Sequence, residues 1–394
     1  MAEAHGRPQP RRTVLRFAAL GMVGLLAACG GVVPRPAGPV RPAPEPEAPP
    51  PVRGGFPGDE ARNRVAVLVP LSGANAGVGQ SIANAASMAL LDSGGQKIRI
   101  TVYDTNMGGP AAAAQKALGE GNRLFLGPLL ADEVRAVAPV ARRAGVPVVA
   151  FSNDSEVAGG GVYLMGFTLD QSVDRVVRYA ASRGITRFAG LMPNGTYGRR
   201  AANALLRAAA ENKASVTAIE SYERSPAAIA AAVRKVAAQP YDALLIADSG
   251  RIAIQAAPLA KKANGSARLL GTELWNTEAT LGATPALRGA WFASVPDATY
   301  QQFASRYRAR FGRLPYRLAS LGYDAMLLVL RSSADWRAGA PFPAARLTDR
   351  GGFAGVDGAF RFRPDGIAER MLAVHEVAPG GLTTVSAAPR SFGE

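Results

Sequence analysis

Short apolar strands alternate with amphipathic helices from residue 64 to residue 271, and this rhythm restricts the chain more than any other feature. Val65-Ala66-Val67-Leu68-Val69 has no polar position, as expected of a strand covered on both faces. Ile82, Ala85, Ala86, Ala89 and Leu90 then recur at helical spacing, which predicts a helix over 78–92. The pattern continues as strand 97–104, an Ala-rich helix 110–119, strand 123–126, helix 131–144 and strand 147–151. It restarts after Asp170 with helix 170–183, strand 186–192, helix 197–213, strand 215–222, helix 226–238, strand 241–247, helix 250–263 and strand 268–271. Repeated strand–helix–strand units imply buried parallel sheets. Residues 62–394 number 333, more than one hydrophobic core usually organises, so two α/β lobes are expected, over 62–168 and 169–296. Beyond 296 the order changes to helices 298–311 and 316–333, followed by turn-rich β sequence over 351–358, 359–363 and 371–377. This segment, 297–394, is expected to return to the first lobe, completing it and the hinge with a C-terminal β segment.

The lobes are preceded by a leader and a linker. Arg7, Arg11, Arg12 and Arg16 lie ahead of an apolar or small-residue stretch over 17–28, too short to span a membrane but suited to the core of a secretion signal. It ends in Leu26-Ala27-Ala28-Cys29, which resembles the lipobox of bacterial lipoproteins. The resemblance implies removal of signal peptide 1–28 and acylation of Cys29. The alternatives are a cleaved signal with a leftover thiol and an uncleaved anchor. Arg11-Arg12-Thr13-Val14-Leu15-Arg16 also resembles a twin-arginine export signal, although paired arginines suit any such leader. Gly30, where inner-membrane lipoproteins of enteric bacteria have Asp, points to the outer membrane. The linker, 29–61, is dominated by ten prolines within 30–57 and keeps no apolar periodicity. At ~3.1 Å per residue an extended segment of this kind reaches on the order of 80 Å, so the folded part reads as a module on a tether.

Composition narrows the function classes. Cys29 is the only cysteine, so no disulfide forms within the chain and no thiolate metal site exists. Of the two histidines, His5 falls in the leader, and a zinc site needs more ligands than His375 supplies. The formal charge of +15 is mostly Arg scattered over helical faces, without the basic clusters interleaved with aromatics that nucleic-acid binding calls for. No G-x-S-x-G elbow or phosphate loop is present, and Gly73-x3-Gly77-x-Gly79 has the wrong spacing for a dinucleotide, so no cofactor is expected. A Ser-His-Asp triad could recruit only His375, which reads as a satisfied residue of an edge strand. No serine is followed three positions later by lysine, so the signature of penicillin-binding enzymes is missing. A non-enzymatic protein is expected.

Val67-Leu68-Val69-Pro70-Leu71-Ser72-Gly73 with Gly79-Gln80, Asn194-Gly195-Thr196-Tyr197-Gly198, Gly271-Thr272-Glu273 and Phe353-Ala354-Gly355-Val356-Asp357-Gly358 with Phe360-Arg361-Phe362 fall in an order and spacing that resembles the type I periplasmic binding proteins of the leucine-binding family. The resemblance covers most of 64–365. It implies an α/β fold of two Rossmann-like lobes with parallel sheets and a hinged cleft. Within that family, the lipobox, the proline-rich tether and Phe151-Ser152-Asn153-Asp154 resemble the penicillin-binding-protein activator lipoproteins of proteobacteria.

Strand-end positions supply the candidate ligand groups. Ser72 and Gly73 follow a buried strand and precede a helix, where backbone N–H groups favour an anion such as a carboxylate. Ser152 and Asn153 occupy the corresponding loop after 147–151. Tyr197 is expected to face them from the other lobe and Glu273 to meet an ammonium, the arrangement the resemblance implies for an amino-acid ligand. The competing readings are helix capping for Ser72 and Ser152, lobe packing for Tyr197 and a surface salt bridge for Glu273. Ala247-Asp248-Ser249-Gly250 stands where amino-acid binders often place an aromatic residue, so either Asp248 is a polar contact in a pocket for another ligand or the cleft holds none.

Two functions follow. One is an outer-membrane lipoprotein whose tethered module reaches an inner-membrane peptidoglycan synthase across the periplasm and regulates it. The other is a solute receptor that passes an amino acid or similar small ligand to the permease of an ABC transporter. Gly30, the tether and the altered cleft favour the first, which is the main expectation; Ser72, Tyr197 and Glu273 favour the second, which is the alternative.

Overall fold

The computed structural model describes residues 61–392. The expected leader, Cys29 and all but the last residue of the expected linker lie outside the described residues. The first lobe runs β1 (Asn63–Val69), α1 (Ala76–Asp92), β2 (Ile98–Asp104), α2 (Pro110–Gly119), β3 (Leu124–Leu126), α3 (Ala131–Arg143), β4 (Val148–Ala150) and β5 (Val162–Leu164). Its five strands pair in the order β2-β1-β3-β4-β5, all parallel. The second lobe repeats the device with α4 (Leu169–Ser182), β6 (Arg187–Pro193), α5 (Thr196–Glu211), β7 (Ser215–Tyr222), α6 (Pro226–Val236), β8 (Ala243–Ile246), α7 (Gly250–Ala263), β9 (Arg268–Gly271) and β10 (Trp291–Ser294). Its parallel strands stand in the order β7-β6-β8-β9-β10, the same arrangement shifted along the chain. In such sheets ligands bind beyond the carboxyl ends of the strands, near the point where strand order reverses. The two-lobed α/β architecture expected from the sequence is the one observed.

One close contact recurs in both lobes. The helix that follows the first strand of each lobe begins so near that strand that a Cβ on Gly79 would lie 1.9 Å from the Pro70 carbonyl oxygen, and one on Gly198 1.7 Å from that of Pro193. Neither position accepts a side chain without parting helix from strand. These glycines therefore set where the loops after β1 and β6 point.

The chain beyond β10 builds α8 (Asp297–Phe311), α9 (Ala319–Ser332), β11 (Phe353–Gly355), β12 (Gly358–Phe362), β13 (Ala368–Arg370), β14 (Ala373–Ala378) and β15 (Gly381–Ser386). Helices α8 and α9 return to the first lobe, where Phe303, Tyr307, Leu321, Leu328 and Val329 join the core under β1. Each apolar side chain of that size contributes about 1.5–3 kcal/mol on full burial, so the first sheet's α1 face depends on this late segment. The approach of α9 to α1 is close: a Cβ on Gly322 would lie 2.3 Å from the Ile82 carbonyl oxygen. Strands β11, β12 and β13 form a small antiparallel sheet whose Phe353, Phe360 and Phe362 enter the same core.

The expected strand 371–377 does not stay with the first lobe. Residues 373–376 pair antiparallel with β10 in the second sheet, and β15 forms the edge outside them, while 368–370 belong to the small sheet. The return segment thus completes both lobes, and the chain passes between them around 165–169, 295–297 and 371–372. Alternation identifies the buried face of a strand but not the sheet it will join, which is why the segment read as one piece. The expectation for His375 also changes. Its strand is flanked by β10 and β15 rather than lying at an edge, Nδ1 stands 3.4 Å from the Thr384 hydroxyl, and Nε2 has no hydrogen-bond partner among the described residues. Burial holds its pKa below the usual imidazole range. Strands β5, β10, β13 and β15 are additional to the sequence reading; the first two are three and four residues long and follow glycine- or turn-rich sequence, so they show no periodicity.

Candidate ligand-binding site

A cavity of about 340 Å³ lies between the lobes, at the size expected of a site for a small ligand. The first lobe lines it with strand-end residues: Asn75 and Val78 after β1, Leu129 and Leu130 after β3, Phe151 and Asn153 after β4, and Phe167 after β5. From the second lobe come Gln171 of α4, Glu273, Leu274 and Asn276 after β9, and Ser294 and Val295 at the end of β10. The crossing and return segments close one end with Thr168, Arg317, Leu318, Arg370 and Leu372. Gln171 holds this end together, since its Nε2 donates to the Ala368 carbonyl at 2.8 Å and its Oε1 accepts from the Arg370 N–H at 2.8 Å.

Tyr197 and Glu273, distant in sequence, do meet. The Tyr197 hydroxyl lies 3.2 Å from Glu273 Oε1 and 3.1 Å from the Thr272 hydroxyl. Gly198 places Tyr197 by seating α5 on Pro193, and the tight Gly271 turn over the fully buried Trp275 places Glu273. The Glu273 carboxyl is enclosed, and Oε2 has no hydrogen-bond partner among the described residues. Burial pushes its pKa up to about 7; hydrogen bonds from its own backbone N–H and from Tyr197 offset only part of that rise.

The other sequence candidates divide. Asn153 lines the same cavity as Glu273. Ser152 is buried beside it, but its hydroxyl accepts from the Asp154 N–H at 3.1 Å, a local turn contact. Ser72 and Gly73 are exposed; the Ser72 hydroxyl donates to Asp104 at 2.9 Å, and its carbonyl accepts from Asn106 at 2.6 Å. Asp248 is buried and engaged by the Tyr222 hydroxyl at 3.0 Å, Arg224 Nε at 2.9 Å and the Ser249 N–H at 2.7 Å. Ser72, Gly73, Ser152, Tyr197 and Asp248 are not among the residues lining the cavity, so the expected convergence of Ser72, Ser152, Tyr197 and Glu273 on one ligand is reduced to Glu273 in the wall with Tyr197 bonded to it. Gln171, Arg317 and Arg370, absent from the sequence reading, take their place.

One ion-pair cluster bridges the lobes. Arg200 of α5 lies 2.7 Å from Asp154 Oδ1 and 2.7 Å from Glu156 Oε1, and Arg135 of α3 holds Asp154 Oδ2 at 3.0 Å. Partial burial alone would raise the Asp154 pKa, but the two guanidiniums outweigh it and hold the carboxyl below its usual range.

The family model for periplasmic binding proteins matches residues 63–381. The chain belongs to the periplasmic binding protein family. It is thereby a member of a ligand-binding rather than a catalytic family. Among solved structures, this periplasmic binding protein is similar to a solute-binding protein of an ABC transporter from Rhodopseudomonas palustris BisB5 in complex with 3,4-dihydroxybenzoic acid, with 20% identity, a TM-score of 0.65, and coverage of 84% of this chain and 97% of that one. It is also similar to a branched-chain amino acid ABC transporter periplasmic ligand-binding protein from Burkholderia xenovorans LB400, with 16% identity, a TM-score of 0.71, and coverage of 84% and 96%. At these identities the likeness shows the type I periplasmic binding protein fold. In sequence it resembles an uncharacterised protein of Rickettsia prowazekii (strain Madrid E), 25% identical over 173 residues, a match that spans 44% of this chain and 46% of that curated relative. Among the described residues no helix is long and apolar enough to cross a membrane, and no group of His, Cys, Asp and Glu is placed to hold a metal ion.

Proposed function

We propose that this periplasmic binding protein is a receptor for a small organic solute, held between its lobes and passed to an ABC transporter permease. The carrying observation is the cavity itself, lined from both lobes and from the hinge end, where closure adds contacts to a ligand. Its walls are largely apolar with few polar groups, the pattern of small-molecule sites. That the structural neighbours are transporter solute-binding proteins supports the reading. A ligand that binds the folded form alone stabilises it by about 2.7 kcal/mol at a hundredfold excess over Kd. A thermal-shift screen of the purified full chain against branched-chain amino acids, aromatic acids and peptidoglycan fragments is therefore expected to yield a hit that raises Tm by several degrees. No shift at millimolar concentration across the screen would reject the receptor reading.

A second reading rests on Cys29 and the proline-rich segment after it. An acylated Cys29 would tether the module, and a penicillin-binding-protein activator would use that tether to reach an inner-membrane peptidoglycan synthase. Cys29→Ser is expected to abolish palmitate incorporation, and equal labelling of wild type and variant would refute the anchor. Fractionation then separates the functions: residence in the outer membrane favours the regulator, because a receptor held there is removed from its permease, and residence in the inner membrane favours the receptor.

A further inference from the structure

Two buried arginines meet at the hinge end of the cavity. Arg370 is 6% exposed and the Arg317 side chain 11%, and both line the cavity wall. Arg317 comes from the start of the α9 segment and Arg370 from β13. Each has one anchored nitrogen. Arg317 Nη1 donates to Asp357 Oδ1 at 2.7 Å and to the Ser320 hydroxyl at 3.0 Å, while Arg370 Nη2 donates to the Met165 carbonyl at 2.6 Å. Aromatic faces hold the guanidinium planes: Arg317 lies 3.9 Å from the Tyr300 ring centroid, and Arg370 lies 5.0 Å from that of Phe167 and 5.1 Å from that of Phe360. The remaining nitrogens, Nε and Nη2 of Arg317 and Nε and Nη1 of Arg370, have no hydrogen-bond partner among the described residues.

Facing the two guanidiniums are the buried carboxyls of Asp357 and Asp324, with Asp297 also near Arg317. Asp324 already accepts from the Val356 and Asp357 N–H groups, and burial together with the neighbouring Asp357 charge raises its pKa. A buried guanidinium is stable when its charge is paired and its forked donors are satisfied, and a planar carboxylate fits that fork. The cavity is also lined by the apolar side chains of Val78, Leu129, Phe151 and Leu274.

We propose that Arg317 and Arg370 form an anion receptor that takes the carboxylate of a small organic acid whose apolar body occupies the cleft. This rests on the small-molecule receptor reading and deepens it. The acid group is held from the hinge side by two segments of the return chain.

The test uses the full chain and two probe pairs, phenylacetate against phenylacetamide and 4-methylpentanoate against its amide, by isothermal titration at pH 7. At least one acid is expected to bind ten times or more tighter than its neutral amide. Arg317→Lys and Arg370→Lys, which keep the charge but lose the fork, are each expected to weaken that acid about tenfold and its amide by clearly less. Phenylphosphonate, of the same charge sign but different shape, is expected to bind less tightly than phenylacetate. Equal affinity for acid and amide, or lysine variants that bind the acid as wild type does, overturns the anion receptor while leaving a small-molecule receptor standing. If neither pair binds but a thermal-shift hit from outside the acids does, the anion receptor alone is overturned; if nothing binds, both readings fall. Should a lysine variant not fold, the wild-type comparison of acid with amide decides.

Discussion

Gly198→Ala is expected to destabilise the protein by more than about 3 kcal/mol and to pull Tyr197 away from Glu273. The ordinary effect has the opposite sign, because replacing glycine by alanine inside a helix is worth roughly 1 kcal/mol in its favour. Here the added Cβ would lie 1.7 Å from the Pro193 carbonyl oxygen, a backbone atom at the end of β6 that cannot rotate aside. Overpacking of a rigid contact costs about 1–3 kcal/mol or more, and separating α5 from β6 also loosens the packing of the fully buried Ala201, Ala204 and Leu205. Urea unfolding followed by circular dichroism measures the loss. Gly79→Ala, facing the Pro70 carbonyl at 1.9 Å, is the matched experiment in the first lobe. A midpoint within error of wild type in both variants would refute the close helix–strand approach as the device that positions these loops.

Glu273 is expected to make stability fall as pH rises from about 4.5 to about 7. Its carboxyl has an ordinary pKa of 4.5 when the chain is unfolded and is pushed up to about 7 in the folded protein by burial. In that interval the folded state binds the proton that the unfolded state has released. The stabilisation is therefore fully present below pH 4.5, is lost progressively up to about pH 7 and is level above it. From a shift of that size the total is on the order of 3 kcal/mol. Glu273→Gln keeps the shape and removes the titration, so the difference in stability between wild type and variant is expected to decline by that amount across the window. Denaturant unfolding at half-unit pH steps gives the curve. A difference that is flat with pH, or that grows in favour of the wild type, would show that the carboxyl is not held in its protonated form.

The strand–helix rhythm was legible because each βαβ unit must bury both faces of a strand and one face of a helix within a short span of chain. Hence β1 to β4, β6 to β9 and α1 through α9 follow from residue spacing. The glycines at 79 and 198 and the Gly271-Thr272-Glu273 turn were legible only through the family resemblance, and the structure shows each seated at its own strand end. Asn153 and Glu273 accordingly appear in the cavity wall where strand-end reasoning put them. Ser72 and Asp248 sit at comparable strand ends, yet Asp104 takes up the Ser72 hydroxyl, and Tyr222 and Arg224 take up the Asp248 carboxylate. Those partners come from neighbouring strands and loops, which local pattern does not identify.

The sequence by itself determined the two-lobed α/β layout and the kind of loop that faces the cleft, since both depend on interactions within one βαβ unit. Tertiary structure alone decided which sheet residues 373–386 join, that 371–372 cross between lobes, and that Arg317 and Arg370 stand together at the hinge. Those two arginines are 53 positions apart in a segment without helix–strand periodicity, and they meet only because three chain crossings bring α9, β13 and the start of α4 to one end of the cavity. Their burial is a property of that junction. Nothing in the residues beside them distinguishes them from the many exposed arginines of the chain, because solvation is settled by what packs over a side chain and not by its neighbours in sequence.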